Sequence, residues 1–467
     1  MLAVAIVLYL LSTVAIGAWA SKRVKNAKDF MLAGQQLPLF LSTSALFATW
    51  FGSETIFGAS SEYLEHGLLG VIEDPFGGAL CLILFGMFYV KPIYRMRVST
   101  LGDVYVRLFG KKVGYISSLC MVPAFFGYTA AQLVALSLIL GAVTGASLIQ
   151  GILIAVIIVV VYTFLGGMWA ISITDFIQTL VIVVGLIWVT VIILRDAGGA
   201  SAILADAPPG SFQFFPPPEL SAWGNYFGAW AILGLGSIPS QDIYQRVMAS
   251  KSERVAQRSL YLAAACYLTF GLLPLFIALG AKTLYPDLYL ENPQMLLPQM
   301  VLQHAGLGVQ ILFFGALLSA IMSTTSSSLL APSAILSENI LRPYLTQYSD
   351  RKMLWLLRIN VVAVALVSVF MATWKANIYE LVADASILLL VSLFVPLTAG
   401  LYWKKASKFG ALLSIFFGMS SYFVLDQFTF AIPSFLLATA CSALGMVLGT
   451  LIKPKNPRCN PIIRSST

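Results

Sequence analysis

Charge is what this 467-residue chain has least of: Asp, Glu, Lys and Arg make up 10% of it, where a soluble domain carries about 25%. Mean hydropathy is +0.88. So few charges cannot cover a water-facing surface, which excludes an ordinary soluble domain. Histidine is nearly absent, at His66 and His304, and the five cysteines are Cys81, Cys120, Cys266, Cys441 and Cys459. No two of these stand at metal-ligand spacing, which argues against structural zinc and against a disulfide framework. There is no Ser/His/Asp set and no metal motif, so neither a multispan membrane enzyme nor a bound cofactor is expected. No segment is of low complexity, and the stretch after Ile452 is too short for a signalling domain. The expectation is a single membrane unit rather than a sensor.

What the chain does have is apolar length. Hydrophobic residues make up 59% of it, and a bilayer takes roughly 20 of them per helical crossing. Thirteen candidate spans lie near 1–20, 38–60, 68–90, 114–142, 148–165, 171–194, 224–244, 257–280, 309–336, 353–373, 379–402, 410–425 and 432–452. Lys22, Arg23, Lys25 and Lys28 follow the first span and no basic residue precedes it. That pattern predicts a retained helix with its N-terminus outside. Alternation through thirteen spans then puts the C-terminus in the cytoplasm. Of the 28 Lys and Arg, all but Arg195, Lys282, Lys375 and Arg358 fall in the loops predicted inside, Arg246 among them. The net charge of +8 is thus explained by topology, and no nucleic-acid partner is read from it. A multi-pass protein of a plasma membrane, of the bacterial inner-membrane kind, is expected, with the lipid bilayer as its surroundings. The connector at 195–223, with Pro208, Pro209, Pro216, Pro217 and Pro218, reads as external and extended.

Three features point to what the spans enclose. Within 309–336 stands an unbroken run of hydroxyls, Ser323, Thr324, Thr325, Ser326, Ser327 and Ser328. Hydroxyls in hydrocarbon need partners, and Ser323, Ser326 and Ser327 share one helix face by their spacing. Such a face either bonds a neighbouring helix or offers neutral oxygens to a small hard cation. Helical regularity is also interrupted twice, five spans apart. The second span carries Gly52, Gly58 and Glu54; the seventh carries Gly234, Gly236, Pro239 and Asp242. A pair of interrupted spans at that separation predicts an inverted five-plus-five repeat with discontinuous helices around a midplane site. Ordinary kinked packing helices are the alternative. Finally, Glu54, Glu73, Asp74, Asp175 and Asp242 lie in or at the ends of spans where Lys and Arg are almost absent. Buried acids without basic partners call for a cation, a proton or a hydroxyl. Glu54 and Glu73 could instead be solvated at the outer interface, and Asp175 could cap the sixth helix.

The stretch 145–170 closes with Tyr162, Thr163, Phe164, Leu165, Gly166, Gly167, Met168, Trp169 and Ala170, followed by Thr174, Asp175, Phe176, Ile177 and Gln178. This resembles the first signature of the sodium/solute symporter family. A second signature is partly met by Gly400 and Leu401 through Lys405 and by 410–418, with departures at Phe417 and Ser420. Gln245, Arg246, Val247, Lys251 and Ser252 resemble the family's loop after the seventh span. The resemblance implies an all-α, leucine-transporter-like inverted-repeat fold and sodium-coupled import of a small solute by alternating access. Its organisation would be a peripheral helix at 1–20, repeats at 37–194 and 222–402, two further helices at 409–452 and a cytoplasmic tail at 453–467.

Carried over, the resemblance implies a sodium site of the Ala48, Phe51 and Ala320 carbonyls with the Ser323 and Thr324 hydroxyls. It implies a second sodium site of Asp175, Ser323, Ser326 and Ser327. Sodium would be the coupling ion and the only metal. Within the family the chain is most similar to the high-affinity choline transporter branch, through 48–52, 238–241, 245–247 and 357–359. Quaternary ammonium ions bind aromatic faces, and Trp50 is the counterpart of one such ring, with core packing as its alternative role. The branch's tryptophan after the proline is Ser240 here. The acids Asp74 and Asp242 could replace ring attraction by charge pairing, so the expected substrate is an amine, quaternary ammonium or zwitterion. Its expected contacts are Trp50, Glu54, Thr55, Asp74, Ser240, Gln241 and Asp242. Proline, pantothenate and monocarboxylates stay open as alternatives; Thr55, where the sugar branch has glutamine, argues against a sugar.

Overall fold

The computed structural model describes residues 1–287, 293–345, 349–374 and 377–454. Lys375 and the part of the expected tail beyond 454 lie outside the described residues. Among the described residues the protein is all-helical, with one isolated β-bridge between Leu37 and Ser250. Ten helical stretches are long and apolar enough to cross a bilayer. The helices that build the site are α1 (Leu2–Ala20), α2 (Leu39–Trp50), α3 (Lys111–Thr144), α4 (Leu148–Asp196), α5 (Leu220–Gly236), α6 (Gln241–Ala249), α7 (Glu253–Phe270), α8 (Leu307–Ile335), α9 (Asp350–Trp374) and α10 (Ile378–Leu389). Beyond them α11 (Lys408–Leu425) and α12 (Ser434–Ile452) pair with each other, the Ser414 and Ser442 hydroxyls meeting at 2.8 Å.

Helix α8 is the centre. Every residue from Phe313 to Ile335 is buried, so this part of the helix has no lipid face and is surrounded by protein. It packs against α3, α4 and α9. Helix α4 is 49 residues long, more than twice what a bilayer needs. It turns back at Gly167, where φ is 50° and ψ is −146°. The expected fifth and sixth spans are therefore two arms of one element, and Asp175 lies inside its second arm rather than capping a helix start. The 43-residue stretch Glu54–Met96 bends likewise, at Gly67 and again at Asp74 (φ −140°, ψ 119°). Asp74 precedes Pro75, and proline pushes its predecessor out of the helical region. The 195–223 connector is not wholly extended, since Ala200–Ala205 is helical.

Two helices stop and restart after short irregular segments. Helix α2 ends at Trp50, with Phe51 at φ −86° and ψ 76°, and helical structure resumes at Glu54. Helix α5 ends at Gly236 and α6 begins at Gln241. Pro239, lacking an N–H, cannot continue the ladder there. The far ends of α2 and α6 are tied together. Leu37 N–H donates to the Ala249 carbonyl and Lys251 N–H to the Leu37 carbonyl, each at 3.0 Å. The Ser42 and Ser250 hydroxyls meet at 2.5 Å. Arg358, the basic residue expected within a span, lies over the Phe164, Trp355 and Phe30 rings and donates to the Phe164 carbonyl.

The Gly167 turn makes a testable demand. A Cβ at Gly167 would stand 2.5 Å from the Phe30 carbonyl oxygen, whereas one at Gly145 (φ 74°) meets nothing within 4 Å. Gly145→Ala should cost only the left-handed backbone, about 1–2 kcal/mol. Gly167→Ala should cost clearly more, and its thermal midpoint in detergent should be the lower of the two. Equal midpoints would contradict the tight turn.

Candidate ion and substrate sites

The hydroxyl run divides by where its protons go. Thr325, Ser326, Ser327 and Ser328 donate to carbonyls three or four residues back in α8, the ordinary satisfaction of a buried hydroxyl. Ser323 and Thr324 reach other helices. The Thr324 hydroxyl lies 3.1 Å from the Ala48 carbonyl of α2 and 3.2 Å from the Ala320 carbonyl of α8. One proton cannot serve two acceptors at once. Ala48 and Phe51 are fully buried at the end of α2, where the break releases carbonyls from the helical ladder. Neutral hard oxygens converging with too few protons are the chemistry a small alkali cation fits.

Below this cluster the Ser323 hydroxyl donates to Asp175 Oδ1 at 2.5 Å. Asp175 Oδ2 is buried without a hydrogen bond. Contrary to expectation, this acid has a basic neighbour. Arg246 is not in a loop: it is fully buried on α6, with Nη2 4.0 Å from Asp175 Oδ2. Its Nε donates to the Ala45 carbonyl at 3.0 Å, Nη1 to the Asp242 carbonyl at 3.1 Å, and Nη2 to the Ser327 hydroxyl. One guanidinium thus joins α2, α4, α6 and α8. The five donors of arginine make such a junction possible in a way lysine's single point charge does not.

A narrow cavity of about 40 Å³ lies beside the two breaks. Its walls carry the Trp50, Phe125, Tyr128 and Tyr267 rings, the carboxylates of Glu54 and Asp242, and the hydroxyls of Ser237, Ser240 and Ser386. No lining residue is basic. Glu54 is buried, not solvated: Tyr128 donates to Oε1 at 2.9 Å and Gln132 to Oε2 at 2.8 Å. Glu73 is buried as well. Ser240 donates to Asp242 Oδ1 at 2.5 Å. Asp74 and Thr55 sit behind the wall: Thr55 donates to Asp74 at 2.8 Å, and the Tyr267 hydroxyl contacts Asp74, Thr55 and, at 2.8 Å, the Trp50 carbonyl. The Gln241 side chain turns elsewhere, its oxygen accepting from Leu101 N–H at 2.7 Å.

The profile described as "Sodium:solute symporter family" matches residues 30–418. The chain belongs to the sodium:solute symporter family. It is similar to the high affinity choline transporter 1 of Homo sapiens, 29% identical over 441 residues, covering 89% of this chain and 75% of that protein. It is also similar to the high-affinity proline transporter PutP of Bacillus subtilis (strain 168), 27% identical over 428 residues, with 87% and 88% covered. Among solved structures, a substrate-bound, outward-open Na+-coupled sialic acid symporter superposes with a TM-score of 0.84 at 18% identity, covering 97% of this chain and 98% of that one. The fold class is therefore the all-α, leucine-transporter-like one. The protein is a sodium-coupled symporter of a small solute in a membrane, not an enzyme, and sodium is its coupling ion.

Membership of the symporter family gives the hydroxyl run a context, yet several residues of the site escaped the sequence. Tyr128, Gln132 and Tyr267 lie in spans that look uniformly apolar, where period alone does not reveal which side faces a cavity. Arg246 looked like the first charge of a loop. Its one local signal is its position four residues after Asp242, on the same face of a helix. Loss of either partner of a buried ion pair leaves the other uncompensated, at a cost of about 3–5 kcal/mol. Arg246→Met should lower the unfolding midpoint strongly, and adding Asp175→Asn should recover part of the loss. Strictly additive losses in this double-mutant cycle would mean that the two charges do not interact.

Proposed function

We propose that this symporter imports a small solute bearing a cationic nitrogen: an amine, a quaternary ammonium or a zwitterion. The observation that carries this is the cavity wall of four aromatic rings and two carboxylates without a basic residue. Aromatic faces and carboxylates both attract a cation. The Trp50 indole N–H, a donor only, is buried without an acceptor. A substrate that also brings an oxygen, whether a hydroxyl or a carboxylate, would satisfy it, which favours choline-like and amino-acid-like molecules. The choline and proline named in the two relatives both fit that description. The substrate set is Trp50, Glu54, Ser240 and Asp242 at the wall, with Thr55 and Asp74 holding it from behind and Gln241 anchoring the start of α6.

Sodium is assigned to the Ala48, Phe51 and Ala320 carbonyls with the Ser323 and Thr324 hydroxyls, and a second ion to Asp175, Ser323, Ser326 and Ser327. Each of the two long stretches is taken as two passes, and each interrupted pair, 39–66 and 220–249, as one. The total is then thirteen, with the repeats at 37–194 and 222–402 and discontinuous helices in spans two and seven. The N-terminus is outside and the C-terminus cytoplasmic, so the tie between 37–42 and 249–251 is the closed cytoplasmic gate. In this scheme sodium bridges the second and ninth spans and favours the state in which the substrate site is formed. The gate then opens and sodium leaves toward the cytoplasm. A membrane potential adds roughly 2.3 kcal/mol per charge per 100 mV, which makes one ion enough for appreciable accumulation.

Thermal stabilisation of the purified protein tests both halves of the proposal, because a ligand that binds the native state raises its stability by mass action. Sodium should raise the midpoint where equal potassium does not. Choline, betaine, proline or a small amine should raise it further, and pantothenate or sugars should not. Thr324→Val should weaken the sodium response about tenfold or more, the worth of one ligand in a dry site, and Thr324→Ser should preserve it. Asp175→Asn should weaken sodium activation of transport more than substrate affinity at saturating sodium. An unchanged sodium dependence in that variant would remove the second site.

A further inference from the structure

The ion cluster and the cavity meet at Gly52. A Cβ there would lie 2.7 Å from Glu54 Oε2, 2.9 Å from the Thr324 hydroxyl oxygen and 3.1 Å from Gln132 Oε1. Three oxygens from α8, α3 and the start of the 54–96 stretch therefore crowd one point beside the unwound segment, and only a residue without a side chain leaves that point free. Gln132 is the organiser. Its Nε2 donates to Glu54 Oε2 at 2.8 Å, while its Oε1 accepts the Ser53 backbone N–H at 3.1 Å. The same side chain thus fixes the carboxylate and the unwound backbone. One turn earlier on α3, Tyr128 holds the other carboxylate oxygen and lines the cavity.

We infer that the Glu54 carboxylate is the shared counter-charge of the sodium site and the substrate cavity, with Gln132 as its positioning residue. This rests on the assignment of sodium to the Ala48 and Thr324 cluster. The five oxygens assigned there are all neutral, so they solvate an ion without balancing its charge. Asp175, bonded to Ser323, already faces the Arg246 guanidinium, so the balance falls to Glu54, whose carboxylate crowds the same point as the Thr324 hydroxyl. It also faces the cavity where a cationic nitrogen would sit. The carboxylate attracts both guests at once, while the two cations repel each other, and its fixed position decides which effect wins. Gln132 holds it between them, so that sodium binding orders the carboxylate for the substrate instead of competing with it.

The test reads the sodium concentration at half-maximal thermal stabilisation, against potassium, in the purified full chain. Glu54→Gln should raise it about tenfold, the effect of removing an opposite charge a few ångströms away. Gln132→Met, which keeps the volume and removes both hydrogen bonds, should raise it severalfold. Gly52→Ala should raise it too, but its methyl would press on the Thr324 hydroxyl as well as on the carboxylate, so it tests the crowding and not the charge. Glu62→Gln, an acid toward the far end of the same helix and outside the site, should match wild type. A Glu54→Gln midpoint within about twofold of wild type, on the same scale, overturns the inference and leaves the sodium assignment standing. No sodium-specific stabilisation of wild type overturns the assignment itself, and this inference with it. If Glu54→Gln does not fold, Gln132→Met decides by the same readout, and a wild-type value overturns it.

Discussion

Hydrocarbon offers a polar group nothing to bond, and the rest of this structure is arranged around that constraint. A membrane helix meets it by spending every backbone N–H and C=O internally. The places where the ladder is interrupted are therefore the places where free oxygens exist, and they are tolerable only when buried among partners or facing a guest. Both interruptions here, after Trp50 and between Gly236 and Gln241, border one cavity. The same accounting sorts the hydroxyls of α8. Four of the six return their protons to their own helix, and the remaining two, Ser323 and Thr324, reach across to Asp175 and Ala48. A row that looks uniform in the sequence is thus divided by where its protons point.

Charge obeys the constraint less simply. Counting Lys and Arg by position takes each of them to sit where water is. The count fails at Arg246, which is buried as deeply as the core phenylalanines. Its burial is affordable because three carbonyl or hydroxyl oxygens accept from it and one acid lies nearby. The inner cluster is consequently not purely acidic. Any cation drawn to Asp175 meets a guanidinium already there, whereas the Thr324 cluster has Glu54 beside it and no such competitor. This difference separates the two proposed ion sites physically even though they share Ser323.

The legible part of the molecule was the part carried by strong local chemistry. Span existence follows from apolar length, and the breaks follow from glycine and proline acting on the backbone. Two bends that the sequence analysis did not mark have equally local causes: Asp74 leaves the helix because Pro75 follows it, and the 148–196 element turns at Gly167, whose φ and ψ suit glycine. The side chains that shape the cavity were not legible. Tyr128, Gln132 and Tyr267 sit in helices buried on several sides, and a hydrophobic pattern fixes the rotation of a helix only when one face is wet. Gln241 illustrates the converse: it is adjacent in sequence to Ser240 and Asp242, yet a helix turns successive residues by about 100°, and its amide serves Leu101 instead of the cavity.

One turn of α2 joins these threads. Ala45 and Ala48 lie three residues apart on it. The Ala45 carbonyl accepts from Arg246 on α6, and the Ala48 carbonyl meets Thr324 on α8. Helix α2 is thus held at adjacent points by α6, which the proposed gating scheme moves with it, and by α8, which that scheme leaves in place. Each hydrogen bond contributes only about 1 kcal/mol net, so the tie at 37–42 and 249–251 together with Arg246 is worth a few kcal/mol. That is the same order as moving one charge through 100 mV. In the proposed topology this tie is the cytoplasmic gate, and the free energy of one ion is of the order needed to bias it. A cation bound at Thr324 would fasten α2 to the static helix, and its departure would leave the α6 grip alone, letting the two inner halves swing as a unit.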